Sequence, residues 1–208
     1  MPNSFYKNYF VAITKGMEFS TYFLQKEETT PEFFFQSIKD VLTSLRKNKN
    51  RIFFFGNGAS AAFANHMALD FSKNGKIPSL SLSDSALLTA LANDYSYESA
   101  MVEFMKIENI VSEDLVITIS SSGNSPNIVS VLKYCSENNI TSLSLSGLKP
   151  DNKSIALSDY AIYVPVKTYG MVECIHQIFL HLILDEMMEI FEWNRSEVQN
   201  MNSQFFKL

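Results

Sequence analysis

Hydrophobic and polar positions divide the chain into two parts with different periods. Up to residue 48, large apolar residues recur at three- and four-residue intervals, which is typical of amphipathic helices. Their spacing predicts two helices, one reaching from Phe10 to Phe23 and one centred on residues 34–45, separated by the polar break KEETTPE. Thr30 is suited to cap the second helix and Pro31 to take its first position. Residues 1–48 should therefore form an N-terminal helical extension.

Beyond residue 48 the pattern changes to short apolar runs that alternate with helical stretches. Continuous apolar runs connected in this way predict a parallel sheet covered by helices on both faces. A strongly apolar helix is expected at about 170–191. The fold class is thus a doubly wound α/β fold of the flavodoxin type over residues 49–192, in one domain spanning 1–208. Its five predicted strands are RIFFFG (51–56), SLSLS (79–83), LVITIS (115–120), TSLSLSG (141–147) and YAIYVP (160–165).

Composition narrows the classes of partner. The chain is 46% hydrophobic and 19% charged, which is typical of a globular protein, and its formal net charge of −5 argues against a nucleic-acid partner. The sequence contains no run of 18 apolar residues and no signal-peptide pattern, so we expect a cytoplasmic protein without a membrane partner. Two cysteines, Cys135 and Cys174, do not imply a disulfide framework.

A serine-rich loop carries the most informative chemistry. The segment LVITISSSGNSPNIV runs from a strand into a loop and then into a helix, with Ser125 at the expected N-cap and Pro126 at the first helical position. The free N–H groups and positive dipole end of such a helix bind anions. The hydroxyls of Ser120–Ser122 and the close approach that Gly123 allows make a phosphate monoester the natural ligand. An ordinary serine-rich turn with a helix cap is the alternative.

A second strand, loop and helix follow the same plan in RIFFFGNGASAAF. Gly56 and Gly58 flank Asn57, and Ser60 is placed to cap the next helix. Both loops open at the carboxyl ends of strands, which is where ligands bind in open α/β sheets. Neither loop matches a nucleotide-binding fingerprint, so no nucleotide cofactor is expected.

Acid and base residues accompany the three histidines. His66 and Asp70 lie four residues apart on one helix, and on the last helix Glu173 precedes His176 by three residues and His181 by eight. This spacing allows proton transfer next to a carbonyl, as an enediol mechanism requires, or a divalent metal bound by histidine and carboxylate ligands. The two chemistries are compatible. Buried histidines with a purely structural role are the alternative.

Three segments resemble a known family. GNGASAAFANHMALD, LTALANDYSYE and ISSSGNSPNIV are similar to the corresponding segments of phosphoheptose isomerases within the sugar isomerase (SIS) superfamily. The resemblance implies a homotetramer with active sites between subunits. It also implies an enediol reaction that converts sedoheptulose 7-phosphate into an aldose phosphate, supplying heptose for lipopolysaccharide or capsule.

The resemblance also implies roles for individual residues. Asp70 corresponds to the family's catalytic base and His181 to its catalytic acid. Some members bind zinc, and the positions that correspond to their ligands are His66, Asp70, Glu173 and His181. Sugar and phosphate binding falls on Asn57, Gly58, Ser60, Asp94, Ser120, Ser121, Ser122, Ser125 and Glu173.

Two departures from the family pattern leave the substrate open. Asp70 stands where the family has Glu, which shortens the side chain by on the order of 1.5 Å. The family's RIQE stretch appears as Met171 to Cys174, so an Arg is missing and a Gln has become Glu173. The alternative function is a non-catalytic SIS tetramer that senses phosphosugars or binds a replication initiator. The retained His66 and His181, together with an acid at position 70, favour the enzyme.

Overall fold

The computed structural model describes residues 4–191, which form eight helices around one sheet. The helices are α1 (Phe5–Glu18), α2 (Pro31–Asn48), α3 (Ala59–Lys73), α4 (Ser85–Asp94), α5 (Ala100–Ile107), α6 (Pro126–Glu137), α7 (Lys153–Leu157) and α8 (Tyr169–Met188). The strands are β1 (Thr21–Leu24), β2 (Glu27–Thr29), β3 (Ile52–Gly56), β4 (Ser79–Ser81), β5 (Leu115–Ser120), β6 (Thr141–Gly147) and β7 (Tyr160–Val164).

The sheet contains the five predicted parallel strands. Its order is β2-β1-β7-β6-β5-β3-β4, and the neighbours from β7 to β4 all pair in parallel. Counted along the chain, these five strands follow the order 2-1-3-4-5 of flavodoxin-like folds, so the predicted fold class is confirmed.

An antiparallel hairpin extends the sheet beyond the prediction. The sequence predicted a helix through Phe23 and then a polar break, whereas β1 pairs with β7 and β2 in antiparallel fashion. This part of the prediction is wrong because Thr21-Tyr22-Phe23 is a short β-branched and aromatic run, which favours a strand. The two-residue turn at Gln25 and Lys26 has positive φ angles of 50° and 72° but no Gly or Asn to mark it.

Helices cover both faces of the sheet, as continuous apolar strands require. Along β3, Phe54 packs into a core formed with α2, α3 and α8, while Phe53 and Phe55 pack into a second core with α4, α5 and α6. All three side chains are at most 1% exposed. The alternation follows from the two-residue repeat of a strand. Two separate hydrophobic cores therefore fix the positions of α3, α6 and α8, the helices that carry the expected site residues.

The helix boundaries follow their capping residues. Thr30 accepts a hydrogen bond from the Phe33 N–H, and Pro31 is the first residue of α2, as predicted. The helix ends at Lys49 in the left-handed conformation. Within residues 4–191, none of the helices combines the length and apolar character that a membrane span requires.

Candidate functional site

Two loops meet at one edge of the sheet. Gly56 at the end of β3 pairs with Ile119 near the end of β5, so the chain leaves both strands at the same level. Between the loops lies a cavity of about 110 Å³. The residues that line it are Asn57, Ser60, Ile119, Ser120, Ser121, Ser122, Ser125, Tyr169 and Glu173. Seven residues that the sequence marked for substrate binding therefore face one space.

The serine-rich loop turns tightly before α6. Gly123 has φ +60°, and a Cβ there would collide with the Asn152 amide. The Gly123 N–H donates to the Ser120 carbonyl, and the Gly147 N–H of β6 donates to the Ser121 carbonyl. Ser125 occupies the N-cap position of α6 but makes no side-chain capping bond, so its hydroxyl is not used to close the helix. The loop is thus held mainly through its backbone carbonyls, and its hydroxyls can still donate to a ligand, including that of Ser122, which accepts from the Asn124 N–H.

The loop after β3 depends on a close backbone approach. Any side chain at Gly56 would collide with the backbone of Ser60 in the first turn of α3. Gly58, with φ +55°, is the N-cap, and Ser60 is the second residue of α3, 4% exposed. The prediction that Ser60 caps this helix is therefore wrong. The glycines bring the chain into α3 two residues earlier, and this turns Ser60 toward the cavity.

A hydrogen-bonded network joins the two loops. The side chains of Asn57 and Asn127 donate to each other, over 2.9 Å from Asn57 Nδ2 to Asn127 Oδ1 and 2.8 Å from Asn127 Nδ2 to Asn57 Oδ1. Tyr97 donates its hydroxyl to Asn57 Oδ1 over 2.8 Å. No sequence motif pointed to Asn127 or Tyr97. The only signal was the position of Asn127 in the first turn of the helix that follows Ser125.

An acid and two histidines form a second group. His66 Nε2 lies 3.3 Å from Asp70 Oδ2, and the rings of His66 and His181 meet edge to face with centroids 5.4 Å apart. One ligand atom from each of the three residues lies within 4.8 Å of the others. These are three of the four residues expected to bind a metal, and two histidines with a carboxylate are a donor set that suits zinc.

Gln177 packs beside this group. Its Nε2 lies 2.8 Å from His181 Nε2 and 3.3 Å from Met67 Sδ, while its Oε1 is buried and accepts no hydrogen bond from residues 4–191. The amide therefore fixes the ring of His181 from one turn earlier on α8. No motif in the sequence pointed to this residue.

Glu173 and Asp94 lie apart from the histidine group. Glu173 lines the cavity beside the serine-rich loop. The step of eight positions from Glu173 to His181 corresponds to about 12 Å along a helix. The structure thus does not bring this fourth expected metal ligand to the other three. Asp94 ends α4 at an exposed position, where its carboxylate accepts a hydrogen bond from Asn93, and it does not line the cavity.

His176 anchors α8 to the sheet. The ring is fully buried, and its Nε2 donates to the Ser146 carbonyl of β6 over 3.1 Å. Burial lowers the pKa of His176 from 6.5 to about 4, although the hydrogen bond to Ser146 opposes this shift. His176 is therefore neutral near pH 7, and its Nδ1 is buried without a hydrogen bond from residues 4–191. It has the structural role that the sequence left open as an alternative.

A large apolar cavity of about 880 Å³ lies along the outer face of α8. His181 and Gln177 form part of its wall, together with Phe63, Cys174, Ile178, Leu182, Asp185, Glu186, Ile190 and Phe191. The histidine group is thus at the boundary between this apolar surface and the interior of the chain.

The open parallel sheet and the serine-rich loop at its carboxyl edge define a protein of the sugar isomerase class. Residues 22–147 match the family model of the SIS domain, and the chain belongs to that family. The match ends at the last residue of β6 and therefore contains both loops of the cavity.

Sequence relatives place the chain in a narrower group within the SIS domain family. The chain is 38% identical over 143 residues to the phosphoheptose isomerase of Aneurinibacillus thermoaerophilus, covering 66% of this chain and 71% of the relative. It is 35% identical over 170 residues to that of Nitratidesulfovibrio vulgaris, covering 78% and 77%. The chain is thus a member of the phosphoheptose isomerase family. A phosphoheptose isomerase structure from Neisseria gonorrhoeae shares the fold, with a TM-score of 0.73, 23% identity, and coverage of 88% and 94%.

The buried neutral His176 predicts a pH-dependent stability. Its folded-state pKa of about 4 lies below the ordinary 6.5, so the unfolded chain takes up the proton first as the pH falls. The free energy of unfolding should therefore be unaffected by this group above pH 6.5 and should fall by about 3 kcal/mol in total as the pH is lowered towards 4. Urea unfolding of the wild type and of His176→Gln at several pH values measures it. If the free energy of unfolding depended on pH in the same way in both proteins, the lowered pKa of His176 would be contradicted.

Proposed function

We propose that this protein interconverts a ketose phosphate and an aldose phosphate, with sedoheptulose 7-phosphate as the ketose. The observation that carries the proposal is the serine-lined cavity at the start of α6, because α8 contributes Glu173 to this cavity and His181 to the group that it forms with His66 and Asp70 of α3. The names of the relatives support the heptose substrate.

The serine-rich loop is proposed to bind the phosphate. None of the residues that line its cavity is a Lys or an Arg, so hydroxyls and the backbone N–H groups of the first turn of α6 must supply the donors. Glu173 lines the same cavity, and a carboxylate repels a phosphate dianion. We therefore place Glu173 against the sugar hydroxyls, which can donate to it, rather than against the phosphate.

The length of the substrate fits the spacing along α8. In an extended seven-carbon sugar phosphate, C1 lies about 10 Å from phosphorus, at roughly 1.2 Å per bond. The rise from Glu173 to His181 is similar, about 12 Å. With its phosphate in the serine-rich loop, such a chain is comparable in length to the step along α8 from Glu173, which lines the same cavity, to His181.

Asp70 and His181 are proposed as base and acid of the reaction. Asp70 removes the proton from C1 of the ketose, an enediol forms, and the proton returns at C2. His181 transfers the accompanying proton between the two oxygens. His66 donates to Asp70 and orients the carboxylate, and Gln177 holds the ring of His181.

Replacement of the base gives the first test. Asp70→Asn should lower turnover of sedoheptulose 7-phosphate by about 100-fold or more, because the transition-state proton transfer is lost while binding persists. Solvent deuterium incorporation at C1 or C2 measures the same step. Asp40→Asn on the exposed face of α2 is the matched control and should have wild-type turnover.

Other results would reassign the base or the function. Near-full activity of Asp70→Asn together with a large loss in Glu173→Gln would move the base to the serine-lined cavity. Binding of phosphosugars without any exchange in the wild type would favour the sensor or scaffold, which needs the loops but not the acid and base.

We also propose that His66, Asp70 and His181 bind one zinc ion. The donor set fits, because their ligand atoms lie within 4.8 Å of one another, and three protein ligands leave a coordination position for substrate. A bound zinc ion would polarise the carbonyl oxygen of the sugar.

Metal analysis of variants tests this site separately from catalysis. The dialysed wild type should contain about one zinc per chain, and His66→Ala should contain much less, because a three-ligand site loses a third of its donors. Ser122→Ala, in the serine-rich loop, should retain the zinc but bind inorganic phosphate more weakly. Equal zinc in the wild type and His66→Ala would exclude the site, and activity that withstands chelators would show that the reaction does not need it.

The exposed apolar surface supports a homotetramer. Phe5 and Phe10 on α1 are 82% and 64% exposed, and the outer face of α8 lines the large apolar cavity, so both helices offer surface for other subunits. Multi-angle light scattering at micromolar concentration should give four times the chain mass. Phe10→Glu should lower that mass, whereas Lys7→Glu on the same helix should not. A fully active wild-type monomer would contradict shared sites. We also propose that the protein acts in the cytoplasm and that its product supplies heptose for lipopolysaccharide or capsule.

A further inference from the structure

The Asn57 side chain is almost completely occupied by the protein itself. Its Oδ1 accepts from both Tyr97 and Asn127, and its Nδ2 donates to Asn127. An amide oxygen has two lone pairs and an amide nitrogen two N–H groups. Among residues 4–191, Asn57 therefore retains one unused N–H and no unused lone pair.

A backbone group fixes the direction of these bonds. The Ile128 N–H donates to Asn127 Oδ1 over 3.1 Å, so this atom is the oxygen and not the nitrogen of the amide. Asn57 must then present its nitrogen to Asn127 Oδ1 and its oxygen to Asn127 Nδ2. Because that oxygen cannot donate, the Tyr97 hydroxyl is the donor in the third bond.

The network connects three segments from different parts of the chain, and Asn57 itself lines the cavity. Asn57 lies in the loop after β3, Asn127 in the first turn of α6, and Tyr97 in the connection between α4 and α5. Asn127 is 2% exposed, whereas Tyr97 is 52% exposed. The hydrogen bond of a hydroxyl on a half-exposed ring contributes little to the free energy of folding. The effect of the Tyr97 hydroxyl is therefore expected on the orientation of Asn57.

We propose that Asn127 and Tyr97 are positioning residues that hold Asn57 with its single free N–H available to an acceptor oxygen of the substrate. This inference rests on the proposed phosphosugar isomerase function. Asn57 then recognises a carbonyl, phosphate or hydroxyl oxygen as a donor, and it cannot accept a hydrogen bond from a sugar hydroxyl unless Tyr97 moves away. The substrate's own donors must be matched elsewhere, as by Glu173 in the same cavity.

Kinetics in two backgrounds test whether both residues act through Asn57. Tyr97→Phe and Asn127→Ala should each raise KM for sedoheptulose 7-phosphate by about three- to tenfold, with a smaller change in kcat, since each removes hydrogen bonds that orient Asn57. In an Asn57→Ala background the same changes should alter KM by less than about twofold. Effects that persist at full size without Asn57 would overturn the proposal.

Two control variants distinguish an effect on the position of Asn57 from a general disturbance of the neighbouring helices. Tyr95→Phe changes an exposed tyrosine two residues before Tyr97, and Asn138→Ala removes an amide at the far end of α6 that donates to the Tyr134 carbonyl. Both should retain wild-type KM. Equal losses in these controls would show that the changes act by disturbing the helices.

Hydrogen exchange tests the proposal without a ligand. The Ser60 N–H donates to the Asn57 carbonyl and the Ala61 N–H to the Gly58 carbonyl, so both amides report on this loop. Their exchange should accelerate about three- to tenfold in Tyr97→Phe and Asn127→Ala, and not in Tyr95→Phe. Unchanged exchange in both variants would overturn the inference. If the wild type turned over no phosphosugar, the proposed function would fail, while this exchange would still decide whether the network positions the loop.

Discussion

Parallel pairing of the central strands is the constraint on which the site depends. β3, β5 and β6 run in the same direction and end at matching levels, with Gly56 opposite Ile119 and Ser120 opposite Ser146. Every loop that leaves a carboxyl end must therefore emerge at one edge. Two segments that are more than 60 residues apart in the chain thereby come within hydrogen-bonding distance, as Asn57 and Asn127 show. The pairing register of the strands thus determines which side chains line the cavity.

Helix α8 connects the cavity to the histidine group. Its length allows Glu173 to face the serine-rich loop and His181 to face Asp70 two turns later. Between them, the buried His176 attaches the helix to β6 at the level of Ser146. A rotation or slide of α8 would therefore displace Glu173 and His181 together, and the buried imidazole opposes such a movement.

The sequence predicted those features that rest on strong local signals. Apolar runs identified the five parallel strands, and Thr30 with Pro31 marked the start of α2. The β1–β2 hairpin escaped prediction because its turn uses Gln25 and Lys26, which rarely adopt positive φ. The Tyr97 bond to Asn57 escaped because it links residues 40 positions apart, and no pattern of period 2 or 3.6 encodes such a contact. Local propensity thus predicted the parallel strands and the start of α2, whereas the arrangement of the site depends on tertiary contacts.

The β1–β2 hairpin also has a consequence for how copies of this chain can associate. It places β2 at one edge of the sheet, where Glu27 and Glu28 are exposed, and the opposite edge is the three-residue strand β4. A short edge or one that carries like charges is a poor template for continuing a sheet from one molecule into the next. Growth into open-ended ribbons is thereby disfavoured on both sides. The helical faces are then the surfaces left for any association between copies, and contacts there can close into symmetric, finite complexes.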